Sequence, residues 1–176
     1  MSASPTDSAR VFFALWPAPE VRDALAALTR SLQAECGGRP TRAEKIHLTL
    51  FFVGHVPRQR LPELQDIGGD VQATRFALVL DRLGYFRHNR IAWAGAACPP
   101  PLASLVTQLR EKLTAYVSNN EDRAYVPHIT LLRDASRKPA ANTLAPITWE
   151  AREFVLVESV MAAAARYDII RRWTLV

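Results

Sequence analysis

A chain of 176 residues with 49% apolar and 22% charged side chains is long enough to bury a core without cross-links. Cys36 and Cys98 are far apart with no Cys-x-x-Cys spacing; this excludes a disulfide framework and a thiolate zinc motif, and both are expected as free buried thiols in a reducing compartment. No run approaches the roughly 18 apolar residues that cross a bilayer, and the net charge of +5 permits a polyanionic partner.

Residues 1–9 read as a loose tail, small and polar, without the basic start and apolar segment of a secretion signal, so a cytoplasmic location is expected. A strand follows over residues 10–16. Pro17 and Pro19 then open a helix to about residue 35, with Val21, Leu25, Leu28 and Leu32 as its apolar stripe, ended by Gly37-Gly38. A strand over 46–53 closes at Gly54, a weaker helix covers 61–71, and a strand covers 75–83.

The same order then recurs. Residues 91–93 read as a strand and Pro99-Pro100-Pro101 break the chain. An amphipathic helix then carries Leu102, Leu105, Val106, Leu109 and Leu113, with its exit at Asn119-Asn120. A strand covers 127–132, residues 137–146 read as a variable loop, and a further strand begins at 154–157. His47 follows Val11 by 36 positions (11 to 47), and His128 follows Ile91 by 37 (91 to 128). Matched order, motif and spacing point to duplication of one lobe, the first at roughly 10–90 and the second at roughly 91–176. Together they form one two-lobed domain over 10–176, with strands exchanged between lobes.

Two tetrapeptides carry the chemistry, His47-Leu48-Thr49-Leu50 and His128-Ile129-Thr130-Leu131. Side chains alternate along a strand, so each motif turns an imidazole and a hydroxyl to one face and apolar residues to the other. Two such faces across a groove make a four-residue site. A metal centre needs three or four ligands, usually with carboxylates or thiolates, and neither motif adjoins one, so no metal or other cofactor is expected. A single activated threonine would not need a second copy. Phosphodiester cleavage does use two groups, because attacking and leaving oxygens lie on opposite sides of phosphorus, and histidines near pKa 6.5 suit both proton transfers. Threonine hydroxyls can donate to the non-bridging oxygens.

These motifs, with Arg10-Val-Phe-Phe-Ala-Leu15, Pro127-His-Ile-Thr-Leu-Leu-Arg-Asp134 and the closing stretch from Tyr167 to Trp173, resemble the 2H phosphoesterase superfamily. The nearer likeness is to the RNA 2′,3′-cyclic phosphodiesterases once called 2′-5′ RNA ligases. The resemblance implies a bilobed α+β fold with pseudo-twofold symmetry, two antiparallel sheets lining a central cleft and helices outside. It implies metal-independent hydrolysis of RNA 2′,3′-cyclic phosphate ends to 2′-phosphates, with reverse 2′-5′ ligation as its companion reaction. His47 would be the proton donor, His128 the proton acceptor, and Thr49, Thr130 and Arg133 the phosphate-binding groups. Arg133 conflicts with strand parity, which turns it away with Ile129 and Leu131 unless the strand ends, twists or bulges after Leu131.

Phe51, on the His47 face by parity, and Tyr125, before the second motif, are base-stacking candidates. Trp93 and Trp173 are expected in the core, and His55, His88, Arg87 and Arg90 at the surface. Expected partners are RNA 3′ ends, tRNA fragments among them, or small nucleotides, bound by a monomer without membrane contact. The alternatives are a 2H phosphodiesterase for 2′-5′ oligonucleotides or small cyclic nucleotides, and a non-catalytic RNA-end binder.

Overall fold

In a computed structural model, which describes residues 7–117, 124–161 and 165–176, alternation along the first strand separates two faces. β1 (Ser8–Leu15) sends Val11, Phe13 and Leu15 into the main core, while Phe12 and Ala14 pack on the opposite face with Val155 and Val157. β1 begins two residues before the expected start, and Ala9 is buried, so the expected tail over 1–9 already forms strand at Ser8.

The remaining elements are α1 (Pro19–Cys36), β2 (Arg39–Pro40), β3 (Leu48–Pro57), α2 (Leu61–Gly69), β4 (Phe76–Phe86), β5 (Ile91–Ala96), α3 (Pro100–Lys112), β6 (His128–Arg133), β7 (Thr143–Ala151), β8 (Glu153–Val160) and β9 (Arg166–Thr174). They form two antiparallel sheets, ordered β3-β1-β8-β9 and β2-β6-β5-β4-β7. The α+β architecture that the family resemblance implies is the one found. Each sheet draws strands from both halves of the chain.

The long helices link the sheets. α1 starts with Pro19, whose missing N–H costs nothing in the first turn, and buries Val21, Leu25, Leu32 and Cys36. It leaves the first sheet at β1 but packs on β6 and β7 of the second. α3 leaves the second sheet at β5, buries Leu102, Leu105, Val106 and Leu109, and packs on β3 of the first. Each of these buried leucines contributes roughly 1.5–3 kcal/mol.

The structure departs from the sequence reading at several points. β3 does not close at Gly54: that residue takes φ +91 inside the strand, where Val53 is left without a partner, and pairing continues to Pro57. The expected loop over 137–146 already enters β7 at Thr143. Pro146 is tolerated there because β7 is an edge strand with one unpaired side. Cys36 is buried as expected, whereas Cys98 is exposed. The helix exit expected at Asn119-Asn120 lies outside the described residues.

Gly38, at φ +85, lets α1 return to the second sheet as β2, and a Cβ there would stand 2.6 Å from the Arg133 carbonyl oxygen. Backbone strain and backbone contact act together at this position. Gly38→Ala is expected to lower the free energy of unfolding by about 1–3 kcal/mol, read from the denaturant midpoint.

Candidate active site

β3 and β6 belong to different sheets, yet the two motif strands lie side by side. Tyr125 joins them: its hydroxyl donates to the Thr49 carbonyl at 2.8 Å, and its ring packs on the core. Burial pushes the Tyr125 phenol well above its ordinary range, so it remains a donor. Tyr125 is therefore a tie between the motifs, not the exposed stacking surface expected.

Each motif is followed by a bulge. In β3, Thr49 pairs with Ala14 and Phe51 with Phe13, leaving Leu50 unpaired. In β6, Thr130 pairs with Trp93 and Leu132 with Ala92, leaving Leu131 unpaired, and its carbonyl accepts from the Thr41 N–H at 2.8 Å. An extra residue reverses the alternation beyond it. Leu131 and Leu132 are both buried, and Arg133 turns into the cleft, meeting the condition that strand parity set. In β3 the same device sends Phe51 against the core and exposes Phe52 in the cleft. The aromatic that β3 gives to the groove wall is thus Phe52. Phe52 and Arg133 each follow their histidine by five positions (47 to 52, 128 to 133).

The imidazoles are anchored alike. His47 Nδ1 lies 2.7 Å from the Lys45 carbonyl oxygen, and His128 Nδ1 lies 2.8 Å from that of Val126. A carbonyl only accepts, so each Nδ1 carries the hydrogen and the lone pair of each neutral ring is left on Nε2. His47 Nε2 is 3.1 Å from Thr49 Oγ1, whose hydroxyl donates to it.

Their surroundings differ. The His47 ring lies nearly parallel to Trp16, with centroids 5.4 Å apart and planes 9° apart, and also meets Phe12 at 4.9 Å and Tyr167 edge-on at 5.4 Å. Burial among these rings lowers the His47 pKa to about 4; its Lys45 hydrogen bond opposes the shift, and Arg133 and His128 add to it. His128 meets Phe86 and Trp93 edge-on and is lowered by burial too, against the pull of the Val126 carbonyl. Trp93, expected in the core, stands beside His128 instead. In the free protein burial therefore disfavours the charged form of both rings.

The cleft holds about 620 Å³ and is lined by both histidines, both motif threonines and Arg133. Arg10, Arg39, Arg42 and Lys45 line it as well, with no carboxylate among the described residues of its wall. Arg39 is bound to Asp134 at 2.6 Å, and Arg90, expected as a solvated tip, reaches the same carboxylate at 3.3 Å. This exposed cluster fixes the turn after Arg133 more than it adds stability. His55 is exposed, as expected.

Sequence reasoning missed Phe12, Trp16, Phe52 and the cations of the 39–45 segment. Alternation along β1, with Val11, Phe13 and Leu15 on one side and Phe12, Ala14 and Trp16 on the other, was a signal for the first two.

A family model described as LigT-like phosphoesterase matches residues 15–93. The RNA 2′,3′-cyclic phosphodiesterase of Escherichia coli (strain K12) is 34% identical over 172 residues, 94% of this chain and 96% of that one. The crystal structure of E. coli LigT in apo form has a TM-score of 0.82 at 34% identity, covering 96% of this chain and 98% of that one. E. coli LigT complexed with 3′-AMP gives 0.81 at 32% identity, covering 96% and 99%. Paired His-x-Thr strands brought by two antiparallel sheets to one basic cleft are the marks of a 2H phosphoesterase. Within that superfamily, the chain belongs to the LigT-like phosphoesterase family.

A bound anion beside buried imidazoles favours their charged form. Inorganic phosphate is therefore expected to raise the titration midpoint of His47 from near 4, followed through its ring carbon resonance in NMR. A midpoint unmoved by saturating phosphate would mean that no anion docks against this ring.

Proposed function

We propose that the protein is an RNA 2′,3′-cyclic phosphodiesterase that opens a terminal cyclic phosphate to a 2′-phosphate without a metal. The observation that carries this reading is the pair of Nδ1-anchored imidazoles that share one cleft with two hydroxyls and Arg133. The name of the E. coli relative supports the substrate, and the 3′-AMP held by E. coli LigT supports a nucleotide-sized cleft. The proposed setting is the cytoplasm and the proposed partners are RNA ends, tRNA fragments among them; no helix among the described residues is long and apolar enough to cross a membrane.

In the proposed reaction, Thr49, Thr130 and Arg133 hold the non-bridging oxygens, where charge sits through the displacement. His128 takes a proton from water as its oxygen bonds to phosphorus. The P–O3′ bond breaks on the opposite side, and His47 protonates the departing 3′ oxygen. The phosphoryl group stays on O2′. Burial holds His47 neutral in the free protein, so the phosphate anion itself supplies the field that lets the ring carry its proton.

One proton shared by two histidines gives a bell-shaped rate profile. Below the lower pKa both rings are charged and the base is lost; above the upper one both are neutral and the acid is lost. Burial lowers both rings, so the kcat/KM bell, which reports the free enzyme, is expected on the acid side of an ordinary imidazole pair. The kcat bell is expected at higher pH, because bound phosphate raises both. Coincident bells would rule out this field effect.

His47→Ala and His128→Ala are each expected to lower kcat by about 10²–10⁴ while leaving binding of a 2′-phosphate end largely intact. The assay is a short RNA ending in 2′,3′-cyclic phosphate, with the product's phosphorylated hydroxyl identified. Full activity in either variant, or phosphate retained on O3′, would refute the assignment.

A further inference from the structure

The cleft has two chemically different ends. Along the chain into β3 the order is Lys45 and His47 ahead of the strand, then Thr49 and Phe52 within it, so the imidazole and hydroxyl lie between a cation and an aromatic ring. At the aromatic end, Phe52 is 47% exposed and the Arg10 guanidinium lies over its ring, 4.8 Å from the centroid. At the other end β2 pairs Arg39 with Arg133, and the Thr41 N–H binds the Leu131 carbonyl, bringing the 39–45 segment alongside the close of β6.

Of the cations gathered there, Arg39 is committed to Asp134, and Arg133 acts on His47. Arg42 and Lys45 have no carboxylate partner among the described residues, and Glu44 between them is not part of the cleft wall. The Lys45 ammonium rests over the Tyr167 ring at 5.1 Å, and that ring meets His47 edge-on, so Lys45 is held beside the reacting centre. A volume of about 620 Å³ suits a ligand larger than a single phosphate group.

The covalent structure of a nucleoside 2′,3′-cyclic phosphate matches this polarity. The base leaves the ribose from C1′, beside C2′, whereas the 5′ carbon leaves from C4′, beside C3′. With the cyclic phosphate between the motifs, base and 5′ substituent therefore diverge toward opposite ends. The proposed donor to O3′, His47, is two residues from Lys45. The O3′ side of the sugar, and with it the 5′ substituent, then faces the cations, and the base faces Phe52.

We propose that Arg42 and Lys45 bind the 5′-phosphate group of the terminal nucleotide, so that the enzyme distinguishes an RNA 3′ end from a free cyclic mononucleoside phosphate. The inference rests on the phosphodiesterase reading and assigns a specificity element to it.

Three substrates test it: a nucleoside 2′,3′-cyclic phosphate with a free 5′-hydroxyl, the same compound bearing a 5′-phosphate, and a trinucleotide ending in the same cyclic phosphate. For the wild-type protein, the 5′-phosphate is expected to raise kcat/KM about tenfold, and the trinucleotide to match or exceed that gain. In the Arg42→Ala/Lys45→Ala double variant both ratios to the 5′-hydroxyl compound should fall to near one; in the wild type the gain should shrink with added salt. Equal kcat/KM with and without the 5′-phosphate in the wild type would overturn the proposal. A gain that survives in the double variant would do so too, and so would one confined to the trinucleotide, which would show recognition of upstream nucleotides instead. Failure of the wild-type protein to turn over any of the three would instead bring down the phosphodiesterase reading beneath it.

Discussion

The unpaired leucine after each His-x-Thr motif is the constraint on which the cleft depends. A strand with strict alternation turns a third residue to the cleft two positions after the threonine. The bulges at Leu50 and Leu131 delay that residue by one and bury two apolar side chains in succession in β6. The sheets thereby keep their cores filled while Arg133 enters one side of the cleft and Phe52 the other. The two half-sites share one backbone device, and it delivers a different side chain in each.

The imidazoles follow a similar logic of common anchoring and different surroundings. A carbonyl two residues upstream sets the tautomer of each. The aromatic rings of β1, β9 and Trp16 then dry His47, whereas His128 meets only ring edges. Desolvation is the largest influence on both, and it works against the charged form that an acid requires. In the proposed reaction, substrate charge offsets it, which links proton affinity to occupancy of the cleft.

Most of the fold was legible because the helices have clean apolar periodicity and the motif strands alternate. Val21, Leu25 and Leu32 on α1, and Leu102, Leu105 and Leu109 on α3, point inward as their spacing requires. β7 escaped notice because Pro146 reads as a breaker, and only its edge position makes it harmless. The motif histidines and threonines were readable from a repeat within the chain itself. Phe51 was mistaken for a cleft residue because no local signal marks the bulge at Leu50: the run Leu-Phe-Phe-Val is apolar on both sides and fits either parity. The Arg39, Arg42 and Lys45 cluster was invisible because it is assembled by β2 pairing with a strand 94 positions away (39 to 133).

The interlacing of the two sheets bears on how a substrate enters. β8 and β9 complete the sheet begun by β1 and β3, while β2 and β4 belong to the sheet of β5 and β6, and α1 and α3 each lie across from the sheet they leave. No cut in the chain yields one intact wall of the cleft, and no single linker joins the walls as a hinge. The two walls are therefore tied by several crossings of the chain, so the proposed reaction calls for a terminus to slide in between walls that share no single pivot.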